Sequence, residues 1–208
     1  MAAFEELIEK AQSGDCISQF SLGLRYDNGS GVECDFEKAA YWYKKAAEQG
    51  HTPALFRLGV IYGEGQGVQQ DHAESAFWYK KAAEQGDAQA QFNIALRYYM
   101  GQGVEKNYSE AFYWFSQAAE NGEESAQFNL GVMYFNGQGV EQNIEQAAYW
   151  YKKAAENGSA NAAYTLGKMY YEGKDIPQNI SEAVRYAKAA SKQGHTKAKT
   201  LLKRIRSR

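Results

Sequence analysis

Gly14, Gly50, Gly86, Gly122, Gly158 and Gly194 recur at a constant step of 36 residues. A fixed interval of this length means that one small unit is used again and again, and that its copies bury their apolar faces against one another. The segments 15–50, 51–86, 87–122, 123–158 and 159–194 align without a gap. All four tryptophans share one register, Trp42, Trp78, Trp114 and Trp150, with Tyr186 in the fifth copy. Tyr26, Tyr62, Tyr98, Tyr134 and Tyr170 keep the same step, as do Leu22, Leu58, Ile94, Leu130 and Leu166.

Each unit reads as two helices. Phe56, Leu58, Gly59 and Tyr62 fall at helical spacing, and Phe20, Leu22, Gly23 and Tyr26 repeat the pattern one copy earlier. The second helix carries Ala39, Trp42, Tyr43, Ala46 and Ala47. Asp35, Asp71, Asn107, Asn143 and Asn179 mark its start as N-caps. Glu74, Glu110, Gln146 and Glu182 lie three residues on, the spacing of a capping box. Lys38 breaks that box in the first copy, where the weakest cap is expected. The lattice glycine ends the second helix by turning left-handed.

Gly23, Gly59, Gly131 and Gly167 stand inside first helices, where glycine costs about 1 kcal/mol relative to alanine. A repeated cost implies a repeated use, and close approach of the second helix is the use expected. Paired glycines such as Gly65 and Gly67 form the interhelix turn, ahead of Val32, Val68, Val104 and Val140. The fifth copy differs, with Lys174-Asp175-Ile176-Pro177 in its turn and Ala187 in place of the second aromatic. Residues 1–14 read as a lone second helix capping the amino end. Residues 195–208 read as a final first helix with a basic tail.

The run Ala54-x-Phe56-x-Leu58-Gly59-x-x-Tyr62-x-x-Gly65-x-Gly67-Val68-x-x-Asp71, then Trp78-Tyr79-x-Lys81-Ala82-Ala83-x-x-Gly86, resembles the Sel1-like repeat (SLR) family, a relative of the 34-residue tetratricopeptide repeat. The likeness covers residues 15–200. It implies an all-α fold, a right-handed α/α superhelix (solenoid) of five helix-turn-helix repeats with terminal capping helices, forming one continuous domain. It also implies an adaptor or scaffold role in protein complexes, and many family members are bacterial.

The formal net charge is −2 and the pI near 6.0, so the chain as a whole has no pull toward nucleic acid or an anionic membrane. The tail Lys197, Lys199, Lys203, Arg204, Arg206, Arg208 is a local exception, read as a solvated helix end or as a weak contact for phosphate or acidic protein. Residues 1–11 hold four charges and no apolar core, and no apolar run approaches the roughly 20 residues that span a bilayer. These features predict a cytoplasmic protein. Cys16 and Cys34 occur in one copy only, which fits a reducing compartment.

Chemistry leaves little trace. His51, His72 and His195 show no metal-ligand spacing with one another or with cysteine or carboxylate. Gly63-Glu64-Gly65-Gln66-Gly67 follows a helix and recurs, so it is a turn and not a phosphate loop. Asp27-Asn28-Gly29-Ser30-Gly31 lacks the closing Glu of a calcium loop. No catalytic residue, metal or cofactor is nominated, and the chain is expected not to be an enzyme.

Binding is expected on the concave face that first helices line. The candidate partner-binding residues are Arg57, Ile61, Asn93, Arg97, Tyr99, Met100, Asn129, Met133, Phe135, Met169 and Tyr171, which fall in columns that vary between copies. Aromatic, Met and Arg side chains are enriched at interface centres. Packing between neighbouring repeats is an equal reading for Tyr99, Phe135 and Tyr171. Tyr41, Phe77, Tyr113 and Tyr149 are expected to pack between repeats. The expected partner is a protein or peptide, with no nucleic acid and no membrane, and the chain is expected to be a monomer or weak homo-oligomer. A hydrolase acting on cell-wall or antibiotic-like substrates and a self-assembling array are the alternatives.

Overall fold

A computed structural model describes residues 2–207, with side chains from Phe4 on. Among the described residues there are twelve α-helices and no strand. They fall into two compact units, residues up to Lys106 and residues from Asn107 on. The first unit holds α1 (Ala2–Gln12), α2 (Cys16–Asn28), α3 (Phe36–Glu48), α4 (Thr52–Glu64), α5 (His72–Glu84) and α6 (Ala88–Met100). The second holds α7 (Tyr108–Glu120), α8 (Glu124–Asn136), α9 (Ile144–Glu156), α10 (Ala160–Glu172), α11 (Ile180–Lys192) and α12 (Thr196–Arg206). Even-numbered helices are the first helices of the repeat, and odd-numbered ones the second.

Small residues let the helices of a pair close up. Ala39, Ala46, Ala82, Ala118, Ala154 and Ala190 are fully buried along the second helices. The Leu22/Leu58/Ile94/Leu130/Leu166 column is buried on the first. The helix glycines serve a contact different from the backbone approach expected. In three pairs the second-helix tyrosine lies flat over the glycine, Tyr43 on Gly23, Tyr79 on Gly59 and Tyr151 on Gly131. Only at Gly167 is the neighbour the opposite backbone, where a Cβ would stand 3.1 Å from the Ala187 nitrogen. That is the copy in which Ala187 replaces tyrosine. A ring fills the gap in the other pairs.

The second-helix N-caps form as expected, with Asp35, Asp71, Asn107, Asn143 and Asn179 accepting from backbone N–H groups of the first turn. The reciprocal half of the capping box is replaced. The N-cap N–H donates to the carbonyl of the tyrosine near the end of the preceding helix, as Asp35 does to Tyr26, Asp71 to Tyr62, Asn143 to Tyr134 and Asn179 to Tyr170, each at 2.9 Å. The first copy is therefore not set apart by lacking Glu. Lys38 donates its N–H to Asp35 at 3.0 Å and brings its ammonium to 2.8 Å from the same carboxylate.

Successive repeats are joined by polar ties that the sequence pattern does not announce. Gln19 donates through Nε2 to the Ala11 carbonyl, Gln91 to Ala83 and Gln127 to Ala119, at 3.1–3.2 Å. Each buried amide adds a second hydrogen bond to a carbonyl in the C-terminal turn of the preceding second helix, which also accepts from the N–H of Gly14, Gly86 or Gly122 at 3.0–3.2 Å. Gly103 presses on the His72–Ala73 peptide at the start of α5, and Gly139 on Tyr108–Ser109 at the start of α7. Cys16 and Cys34 are free thiols, facing the Ala46 and Asp27 carbonyls respectively.

Candidate interaction surface

The first helices bury one stripe and leave another partly open. On α4 the open stripe is Pro53, Phe56, Arg57, Val60 and Glu64, and on α6 it is Gln89, Phe92, Asn93, Leu96 and Met100. In the second unit, α8 presents Phe128, Asn129, Val132 and Asn136, and α10 presents Asn161, Tyr164, Thr165 and Lys168. These steps of three and four residues define one helix face.

Four candidates are corrected by this geometry. Ile61, Met133, Met169 and Tyr171 are 1%, 0%, 6% and 4% exposed and belong to the core. The reason is register. The Ile61/Met133/Met169 column lies one helical step round from the open stripe and turns toward the preceding repeat. Its third-copy member, Arg97, keeps its guanidinium there by reaching His72 Nδ1, Ser75 Oγ and the side-chain Oε1 of Gln102, each at 3.2 Å. Arg57 is likewise a tie between repeats. It pairs with the Asp27 carboxylate, which also accepts from the Tyr43 hydroxyl at 2.8 Å. Burial, and then the Asp27 charge, push the Tyr43 phenol far above its ordinary pKa.

The other candidates stay at least partly open. Met100 is 56% exposed. Tyr99 is half-buried, and Phe135 is half-buried against the core of the second unit. Asn93 and Asn129 donate through Nδ2 to the Gln89 and Ser125 carbonyls one turn back, at 2.8 and 2.7 Å. One of the two donors of each amide is thus used within the helix.

The residues that sequence reasoning missed are the rings of the open stripe, Phe56 and Phe92 in one unit, Phe128 and Tyr164 in the other. Their constancy made them look like core. The available signal was the spacing, since they stand beside the variable Arg57/Asn93/Asn129/Thr165 column. A second correction concerns Tyr41, Phe77, Tyr113 and Tyr149. They do not pack between repeats but are exposed on the second helices, each edge-on to the adjacent tryptophan at 4.9–5.2 Å.

Among the described residues no group of three or more His, Cys, Asp or Glu could hold a metal ion, and no helix is long and apolar enough to cross a membrane. The geometry is that of repeated helix pairs with an open first-helix face. The Sel1 repeat model matches residues 16–51, 52–87, 88–123, 124–159 and 160–195.

The chain belongs to the Sel1 repeat family.

The protective antigen c5321 of uropathogenic Escherichia coli, whose crystal structure displays an SLR fold, is 39% identical with a TM-score of 0.91, over 95% of this chain and 42% of that one. A Sel1 repeat protein from Oxalobacter formigenes is 36% identical with a TM-score of 0.82, over 91% of this chain and 75% of that one. The Sel1-repeat-containing protein YbeQ of Escherichia coli K12 is 44% identical over 46 residues, 22% of this chain and 14% of that protein. The chain thus spans less than half the length of c5321 and a small part of YbeQ. The Sel1 fold is generally that of a protein–protein interaction module.

Proposed function

We propose that this protein is an adaptor that holds a protein or peptide segment against the open stripes of its first helices. The observation that carries the reading is the partly exposed ring column, Phe56 and Phe92 in one unit and Phe128 and Tyr164 in the other, bordered by side chains that change from copy to copy. Constant rings supply apolar contact area, and variable neighbours supply selectivity. A helical array presents these groups preorganised, so little ordering cost falls on the protein when a partner docks.

The test is capture of partners from native lysate by the wild type and by Leu96→Glu/Met100→Glu. Leu96 is part-buried and Met100 exposed on the open stripe of α6, so the variant should stay folded by circular dichroism, with a melting temperature lowered by the charge at Leu96, and lose the captured protein. Unchanged capture would refute the surface.

A further inference from the structure

Charge is divided unevenly along this chain. Residues 173–208 carry ten of the 23 Lys and Arg but only two of the 25 Asp and Glu, a formal +8, against −10 for residues 1–172. Within the second unit two of these ten cations, Lys197 and Arg204, line a trough between α10 and α12. One part of the trough, about 500 Å³, has Phe128, Tyr164, His195 and Lys197 in its walls. The adjoining part, about 220 Å³, shares Tyr164 and Lys197 and adds Lys168, Glu172, Leu201 and Arg204.

We propose that this trough is the seat of an acidic, extended peptide segment, with Lys197 and Arg204 holding its carboxylates and Tyr164 receiving an apolar side chain between them. The proposal rests on the adaptor reading above and names the chemistry of the partner at one end of the first-helix face.

Cations outnumber carboxylates in the walls, with Lys168, Lys197 and Arg204 against Glu172. Helix α12 contains no Asp or Glu. Lys168 and Glu172 on α10 are 3.8 Å apart and neutralise each other. Lys197 and Arg204 stand seven residues apart on one side of α12, about two turns and roughly 10 Å. On an extended strand, carboxylates two residues apart on one face are about 7 Å apart and those four residues apart about 13 Å, and the long Lys and Arg stems reach either spacing. The walls are preorganised. Tyr164 stacks on His195 with ring centroids 4.5 Å apart, and His195 is fixed because its Nδ1 accepts from the Ala198 N–H at 3.2 Å. The Arg204 guanidinium carbon lies 5.7 Å from the centroid of the Tyr171 ring, and the residue stays exposed.

A peptide suits this site better than other polyanions. The aromatic wall of Tyr164 and Phe128 offers an apolar side chain a contact that a lipid headgroup layer does not supply. The rest of the second unit, residues 107–172, carries three Lys and eight Glu, a formal −5, and repels a long nucleic acid that would run beyond the trough.

The test is fluorescence anisotropy with a labelled peptide of alternating Glu and Ser around a central Leu. The wild type should bind it, and more weakly as salt rises from about 50 to about 200 mM. Lys197→Glu/Arg204→Glu should weaken binding at least about tenfold, with an unchanged melting temperature because both side chains are exposed. Lys199→Glu/Lys203→Glu makes the same change in net charge outside the trough and should stay within about twofold. No binding by the wild type, equal loss in both variants, or a preference for poly-uridine or phosphatidylserine vesicles over the peptide would overturn the proposal. If the peptide fails while Leu96→Glu/Met100→Glu still abolishes capture, only this chemistry falls. If both fail, the adaptor reading falls with it.

Discussion

Gly59 lies directly beneath the ring of Tyr79, so that a Cβ at Gly59 would stand 2.5 Å from Tyr79 Cδ1. Tyr79 is buried and its ring has nowhere to retreat. Gly59→Ala should therefore destabilise by about 1–3 kcal/mol, the usual cost of overpacking, although alanine is the better helix former. Urea unfolding checks this. Placing Tyr79→Leu in the Gly59→Ala background should cost less than Tyr79→Leu alone, because the two positions share one space.

The turn glycines are unequal. Gly103 has φ +73° and sits on the His72 carbonyl, whereas Gly86 has φ +91° with nothing within 4 Å. Gly86→Ala should cost about 1–2 kcal/mol, from backbone strain alone. Gly103→Ala adds a clash with backbone that cannot rotate away, and should cost about 2–4 kcal/mol. Equal melting temperatures for the two variants would contradict this contact.

Asp27 joins the first two repeats by accepting from both Tyr43 and Arg57. Its side chain is 7% exposed and that of Arg57 is 33% exposed, so solvent screens the pair in part. Asp27→Asn should cost about 1–3 kcal/mol. In a double-mutant cycle with Arg57→Met, most of that loss should be shared between the two changes, as measured by chemical denaturation.

His51 caps α4 by accepting from the Ala54 N–H through Nδ1 at 3.3 Å. Burial lowers its pKa. The unfolded chain takes up its proton near pH 6.5 while the folded ring resists. The stabilisation is thus complete above that pH, declines as pH falls through it, and levels once the folded ring titrates. Denaturation midpoints from about pH 8 to about pH 5 should show this slope in the wild type and lose it in His51→Asn.

Met133 and Met100 separate core from surface. Met133→Ala should cost about 2–5 kcal/mol by opening a cavity, and Met100→Ala should stay within about 0.5 kcal/mol. Thermal unfolding of the two variants distinguishes them.

The sequence shows the helix pairs because Trp, Tyr, Gly and the N-cap residues recur at one step, and each has a local role that spacing reveals. It hides the orientation of neighbouring repeats. Ile61 and Arg57 are four residues apart on α4, and both read as face residues, yet stacking on the preceding repeat buries the first and leaves the second at the edge. Constancy misled in the other direction. Phe92 is constant because its ring covers the helix pair on one side, while the other side stays open. Aromatic recurrence at Tyr41 and Phe77 predicts inter-repeat packing but says nothing about direction, and the ladder faces solvent. Ties such as Gln91 to the Ala83 carbonyl have no pattern of their own, since other copies place Leu55 or Ala163 at that register.

The most direct measurement is amide hydrogen exchange of the protein with and without its captured partner. Binding on the open first-helix stripes predicts added protection in the even-numbered helices, α6 and α10 above all, with little change in α3, α5, α9 and α11. Protection confined to those second helices would place the partner on the Tyr41/Phe77/Tyr113/Tyr149 ladder and contradict the account.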